Sequence, residues 1–249
     1  MDRNELLKAN EALHRRRKAE GVGNGPQSIS RPASRLVETE GQTVVDYFEA
    51  LAGGNGQNPA HVIDGSRAMW DSFNSDRHPK LQEAVRIIKK WYNQRLDVGG
   101  ALIIAGGYGC GKSHLAKAVA DLYGWQAVFY EETKLFKAIQ QGYGGHGDSE
   151  HTIFMKARRA PLLIYDDLGS YETDNDAWIQ NIYRQLFDRR FEEGKGFLIT
   201  TNLALKGTPS EFEERVGGRN FTRILGAVEH PEYYVNLFGV PDYRLRHFV

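Results

Sequence analysis

The octapeptide Gly106-Gly107-Tyr108-Gly109-Cys110-Gly111-Lys112-Ser113 fits GxxxxGK[ST], the pattern of a phosphate-binding loop. The pattern constrains the fold, because the loop works only between a buried strand and a helix N-terminus. Ala101 to Ala105 is the apolar run that such a strand needs. After Ser113, the apolar residues Leu115, Val119 and Leu122 recur at helical spacing. Glycines let the backbone approach a phosphate, and the backbone N–H groups form an anion nest. The helix adds its positive end. Lys112 is read as the cation on the β- and γ-phosphates, and Ser113 as a hydroxyl ligand of Mg²⁺. The alternative is a glycine-rich turn with an incidental lysine, which the flanking strand and helix argue against.

A second apolar run, Pro161 to Tyr165, leads into Asp166-Asp167. Asp166 is placed to hold Mg²⁺ and Asp167 to orient or deprotonate a water. An isolated Asp-Asp pair would more simply cap a strand-to-loop turn. Phe197 to Thr201 is a further buried strand, and it ends at Asn202. If that strand lies between the other two, Asn202 comes beside the γ-phosphate. Arg215, Arg219 and Arg223 fall between Glu211 and Leu225. They suit either a salt-bridged helix face or an arginine reaching a neighbour's phosphate.

Around these motifs the pattern is an α/β alternation. Strands are expected near 101–105, 126–130, 161–166, 197–201 and 233–238. Helices are expected near 112–123, 133–141, 149–159, 175–193 and 209–216, with another opened by Pro79. Such alternation implies a parallel sheet covered by helices on both faces. Residues 1–67 differ. Two glycine- and proline-rich stretches, 21–32 and 53–59, separate short helical candidates from a domain over 68–249. The expected extension is flexible, partly helical and partner-binding, because helices this short do not stand alone in water.

The 249 residues carry no formal net charge, so nucleic-acid contact must come from a local patch. The candidate patch is Lys134 to Lys137 with Phe136 as a stacking ring, joined by Lys156, Arg158 and Arg159. One cysteine precludes an internal disulfide and a cysteine zinc site. It suits a reducing cytoplasm. No apolar run is long enough to span a membrane. Cys110 sits at a helix N-terminus near Lys112. That setting lowers a thiol pKa, so alkylation there is expected to block nucleotide binding.

GGYGCGKSHL, LLIYDDLG, DRRFEEGKGFLITTN and ERVGGRNFTRIL together resemble the DnaC-type bacterial and phage helicase loaders, AAA+ ATPases close to the IstB-type transposition ATPases. The resemblance covers about 68–245 and includes His114 after the loop. It implies a five-stranded parallel sheet in the order 5-1-4-3-2 and ATP with Mg²⁺ at subunit interfaces. It also implies self-association on single-stranded DNA and a replicative hexameric helicase as partner. Asn202 would be sensor 1. Arg223 would be the arginine finger acting in trans, with Arg219 second. Few residues follow Gly239, so little or no C-terminal lid is expected, and Arg244 would stand in for a lid-borne sensor. Three functions stay open: a helicase loader, an ATPase assisting transposition, and an ATP-dependent binding module without turnover. Asp167 and Asn202 argue against the last. Trp70-Asp71-Ser72-Phe73, and the lack of tryptophan between Asn202 and Arg223, favour the loader.

Overall fold

The computed structural model describes residues 70, 72–95, 99–124, 127–143, 149–228 and 230–245. The expected extension over 1–67 lies outside them. Twelve elements follow in chain order: α1 (Pro79–Arg95), β1 (Ala101–Ala105), α2 (Lys112–Tyr123), β2 (Ala127–Glu131), α3 (Glu132–Tyr143), α4 (Glu150–Arg159), β3 (Leu162–Leu168), α5 (Asp176–Glu193), β4 (Gly196–Thr201), α6 (Glu211–Val216), α7 (Gly218–Ala227) and β5 (Tyr234–Asn236). All pairings are parallel, and the sheet runs β2-β3-β4-β1-β5. Read from the other edge this is the 5-1-4-3-2 order expected. β1 and β4 are buried at every position, as strands covered on both faces must be.

The order brings the motifs together. β4 lies between β1 and β3, so the phosphate loop, the Asp-Asp pair and Asn202 all leave the same end of three adjacent strands. Helix starts are fixed by side-chain caps. Ser149 accepts from Thr152 N at 3.2 Å, Asn175 from Trp178 N at 3.0 Å and Ser210 from Glu213 N at 3.1 Å, each worth about 1 kcal/mol.

At the opposite end of the sheet, Arg190 of α5 is fully buried. Its guanidinium donates to Ala157 O at 2.6 Å, Ala160 O at 2.8 Å and Pro161 O at 2.9 Å, and also to Gly196 O. It thereby stitches the end of α4 to the starts of β3 and β4. Burial pulls its pKa down to about 10, so it stays charged at neutral pH, solvated by carbonyls. Arg190→Met leaves those carbonyls without donors, at about 1–3 kcal/mol for each buried group. Chemical denaturation should show a loss of about 3–5 kcal/mol. A loss under about 1 kcal/mol would contradict the clamp.

The helix expected near 209–216 is α6; Gly217, at φ 80°, ends it, and α7 follows, a helix that the sequence pattern did not mark. Two expectations need correction. β3 does not stop at its carboxylates but passes through them to Leu168. Phe136 is no stacking ring: it is fully buried and packs on Tyr171, Trp178 and Tyr183. Of the basic residues near it, Lys134 pairs with Glu131 at 2.7 Å and Arg158 with Glu193 at 2.7 Å. Lys137 and Arg159 are exposed.

Candidate nucleotide site

The loop from Gly106 to Gly111 connects β1 to α2. Gly106 N donates to Thr201 O of β4 at 3.1 Å, and Leu237 N donates to Ala105 O at 2.7 Å, so both flanking strands anchor it. Gly109 and Gly111 take φ of 63° and 109°, where side chains are strained. A Cβ on Gly109 would also overlap the Asp242 carboxylate, and one on Gly111 would press on the Phe73 ring at 3.0 Å. Gly107 has open space around it, and Tyr108 projects into solvent at the loop tip. His114 packs against Phe73, with ring centroids 5.2 Å apart and the planes tilted by 53°.

Lys112 is buried and turned into the loop. Its Nζ donates to Gly106 O at 3.0 Å, Gly107 O at 2.7 Å and Asn202 Oδ1 at 2.6 Å. Asn202 Nδ2 donates in turn to Asp167 Oδ1 at 2.9 Å. The three residues singled out in the sequence thus form one chain of contacts. Burial lowers the lysine pKa against the opposing pull of Cys110, Asp167 and Asp166.

The β3–β4 pairing shifts between Tyr165 and Leu168, and Asp167 sits in this irregularity at φ 61°. It is the positive-φ residue other than glycine among the described residues. Such a conformation costs about 1–3 kcal/mol and persists only when its surroundings fix it. Thr200 does part of that. Its hydroxyl donates to Asp166 Oδ1 at 2.6 Å and accepts from Asp167 N at 2.8 Å. Asp166 is buried and hydrogen-bonded by Ser113 as well. Burial raises its pKa, and the Thr200 and Ser113 hydroxyls oppose the rise. Sequence reading missed Thr200, although a hydroxyl in an otherwise apolar strand was the available signal.

Ser113 and Asp166 are two oxygen donors in contact. That is a fitting set for Mg²⁺, which keeps waters and phosphate oxygens rather than a full protein cage. Gly109 and Gly111 at positive φ, and Gly107 with open space around it, leave loop backbone that a phosphate chain can approach closely. Beside it opens a cleft of about 340 Å³, lined by Lys112, Ser113, His114, Phe73, Arg77, Tyr243 and Arg244 among others. Arg77 lies over the Tyr243 ring at 4.0 Å. After β5 the chain returns to the loop rather than building a helical lid among the described residues: Tyr243 N donates to Gly109 O at 3.1 Å. Arg244 pairs with Asp242 at 2.7 Å. No local sequence pattern marked Arg77 or Tyr243.

Cys110 departs from expectation. Its side chain is 1% exposed. Burial pushes its thiol pKa up, and Lys112, with Nζ 3.9 Å from Sγ, only offsets this. Folded protein should therefore resist iodoacetamide and react fully in denaturant, as followed by mass spectrometry. Native labelling at the rate of a free thiol would contradict this placement.

The arginines separate. Arg215 is turned inward, 3.5 Å from Glu132. On α7, Arg219 pairs with Asp188 at 3.1 Å, and Arg223 pairs with Asp188 at 3.3 Å and Glu192 at 3.5 Å. These ion pairs run to α5, not to the phosphate loop. The structure does not gather them with the Lys112, Asp166, Asp167 and Asn202 cluster.

The family model described as IstB-like ATP binding protein matches residues 91–246, more than half of the chain. The chain belongs to the IstB-like ATP-binding proteins. Within this IstB-like chain, the matched region contains the phosphate loop, Asp166, Asp167 and Asn202. It is 27% identical over 143 residues to an ATP-binding protein of an insertion sequence from Mycobacterium tuberculosis, covering 56% of this chain and 55% of that protein. It is 28% identical over 140 residues to the chromosomal replication initiator DnaA of Microcystis aeruginosa, covering 53% of this chain and 30% of DnaA. The match thus spans about half or less of these curated relatives. Among solved structures, the DnaC helicase loader superposes with a TM-score of 0.55 at 20% identity, covering 69% of this chain and 99% of that one. DnaI superposes at 0.52 and 16% identity, covering 69% and 94%. The IstB-like chain therefore shares the AAA+ P-loop fold with both. Among the described residues no helix is long and apolar enough to cross a membrane.

Proposed function

We propose that this protein is an ATPase that hydrolyses ATP at the interface between copies of itself and loads a replicative hexameric helicase onto single-stranded DNA. The observation that carries the ATPase reading is the contact chain Lys112–Asn202–Asp167 beside the Ser113–Asp166 pair. Gly106 to Gly111 bind the phosphates through backbone N–H groups, and Lys112 supplies a cation. Asp167 takes the proton of the attacking water while Asn202 orients it. Ser113 and Asp166 would hold Mg²⁺, which when bound would neutralise phosphate charge. The base would lie against the cleft lined by Phe73, Arg77 and Tyr243, where the Arg77 guanidinium already covers the Tyr243 ring.

The loader reading rests on the motif resemblance and on Phe73, which packs against both Gly111 and His114 and so ties the lead-in to the phosphate loop. Residues 1–67 are proposed as the partner grip and 68–249 as the ATPase domain. A second reading, an ATPase assisting transposition, is favoured by the insertion-sequence relative. Capture of partners from the native host by the full chain and by a chain lacking 1–67 tests both proposals. The loader reading expects a hexameric helicase with the full chain only. Capture of a transposase instead replaces it with the second reading.

A further inference from the structure

Glu132, the first residue of α3, is a fully buried carboxylate. It accepts from Gly169 N at 3.0 Å, Tyr171 N at 3.0 Å, Tyr165 Oη at 3.2 Å and Tyr183 Oη at 2.7 Å, with Arg215 Nη2 at 3.5 Å. These partners come from the turn after β3, from β3 itself, from α5 and from α6. Every residue of the turn is held. Ser170 Oγ lies 3.3 Å from Thr133 Oγ1, and Arg215 donates to Tyr171 O. Ser170 N closes the turn on Asp167 O at 3.0 Å.

We propose that Glu132 is a positioning residue for ATP hydrolysis, whose carboxylate clamps the Gly169–Tyr171 turn and thereby holds Asp167 in its left-handed conformation. Taking a carboxylate out of water carries a large desolvation cost, and an apolar side chain at a helix start under the Tyr165 and Tyr183 rings would pack without it. What the carboxylate adds is two acceptor oxygens aimed at backbone N–H groups two and four residues beyond Asp167. Thr200 fixes Asp167 from the β4 side, and Glu132 fixes the chain leaving it. Burial raises the Glu132 pKa, and Tyr183, Tyr171, Gly169 and Arg215 oppose the rise. The groups around it are donors, which suits an ionised acceptor. Glu132→Gln keeps the volume but turns an NH₂ toward N–H donors, so the turn loosens.

The proposal rests on the ATPase reading, and the tests separate the two. In the full chain, Glu132→Gln should lower kcat by about 10–100-fold, the scale of a misplacement of about 1 Å. Affinity for a fluorescent ATP analogue should stay within about threefold, because the phosphate loop is untouched. In an Asp167→Asn background the same change should leave the residual turnover where it was, since Glu132 acts through Asp167. An equal further drop there, or unchanged kcat with only a lowered melting temperature, overturns the proposal. Tyr183→Phe removes one donor and keeps the ring. It should show the same split at smaller size if Glu132→Gln does not fold, and unaltered kcat in that variant also overturns the proposal. Hydrogen exchange reads the clamp without ATP. Exchange at Gly169 and Tyr171 should quicken in Glu132→Gln while the β4 amides hold, and unchanged exchange at the turn counts against the clamp even if the protein proves to be no ATPase.

Discussion

Asp167→Asn binds ATP as the native protein does and turns it over about 10²–10⁴-fold more slowly, the usual contribution of a positioned general base. The substitution preserves the side chain's shape, and its Oδ1 can still accept from Asn202. Only the ability to take a proton is lost. Lys112→Ala gives the contrasting pattern. It removes the cation that lies among Gly106 O, Gly107 O and Asn202 Oδ1, so affinity itself collapses. Binding of a fluorescent ATP analogue beside phosphate release distinguishes the two variants. Asp167→Asn hydrolysing at the native rate would remove Asp167 from its role.

Arg223→Ala should leave the affinity of single chains for ATP nearly unchanged and reduce turnover by about 10³–10⁵-fold, the range for an arginine finger. In one chain Arg223 leans on Asp188 and Glu192, away from the chain's own phosphate loop. That suits a group completed by a neighbour. Mixing Arg223→Ala with Lys112→Ala subunits should restore part of the activity, because one interface then holds an intact loop opposite an intact arginine. Arg219 is the more exposed of the two, at 62% against 24% for Arg223. If the Arg223 mixture stays silent and Arg219→Ala complements instead, the finger is Arg219.

The elements that sequence pattern located are those whose evidence is local. The phosphate loop is eight consecutive residues, and β1, β3 and β4 are short apolar runs with a polar residue at a fixed end. What escaped depends on partners far along the chain. Phe136 sits in a basic stretch, and only the aromatic cluster of Tyr171, Trp178 and Tyr183 shows that it faces the core. Glu132 and Arg190 look like ordinary surface charges until the carboxylate meets two tyrosines and the guanidinium meets four carbonyls. Cys110 follows the rule for thiols at helix starts except that its sulfur points inward, so burial outweighs the lysine. The helix expected near 209–216 stops at Gly217-Gly218 as read, but α7 beyond them went unmarked, because a glycine pair ordinarily signals the end of helix rather than a new start. Arg77 and Tyr243 lie at opposite ends of the domain, and only the parallel topology brings them to one cleft.

Helicase loading on closed circular single-stranded DNA is the most direct test. The full chain is mixed with the source organism's hexameric replicative helicase, ATP and Mg²⁺, and helicase retained on the circle is measured. Retention should need both the native chain and ATP, and Lys112→Ala should abolish it. Retention that is the same with Lys112→Ala, or absent with the native chain while a transposase binds it, would contradict the account.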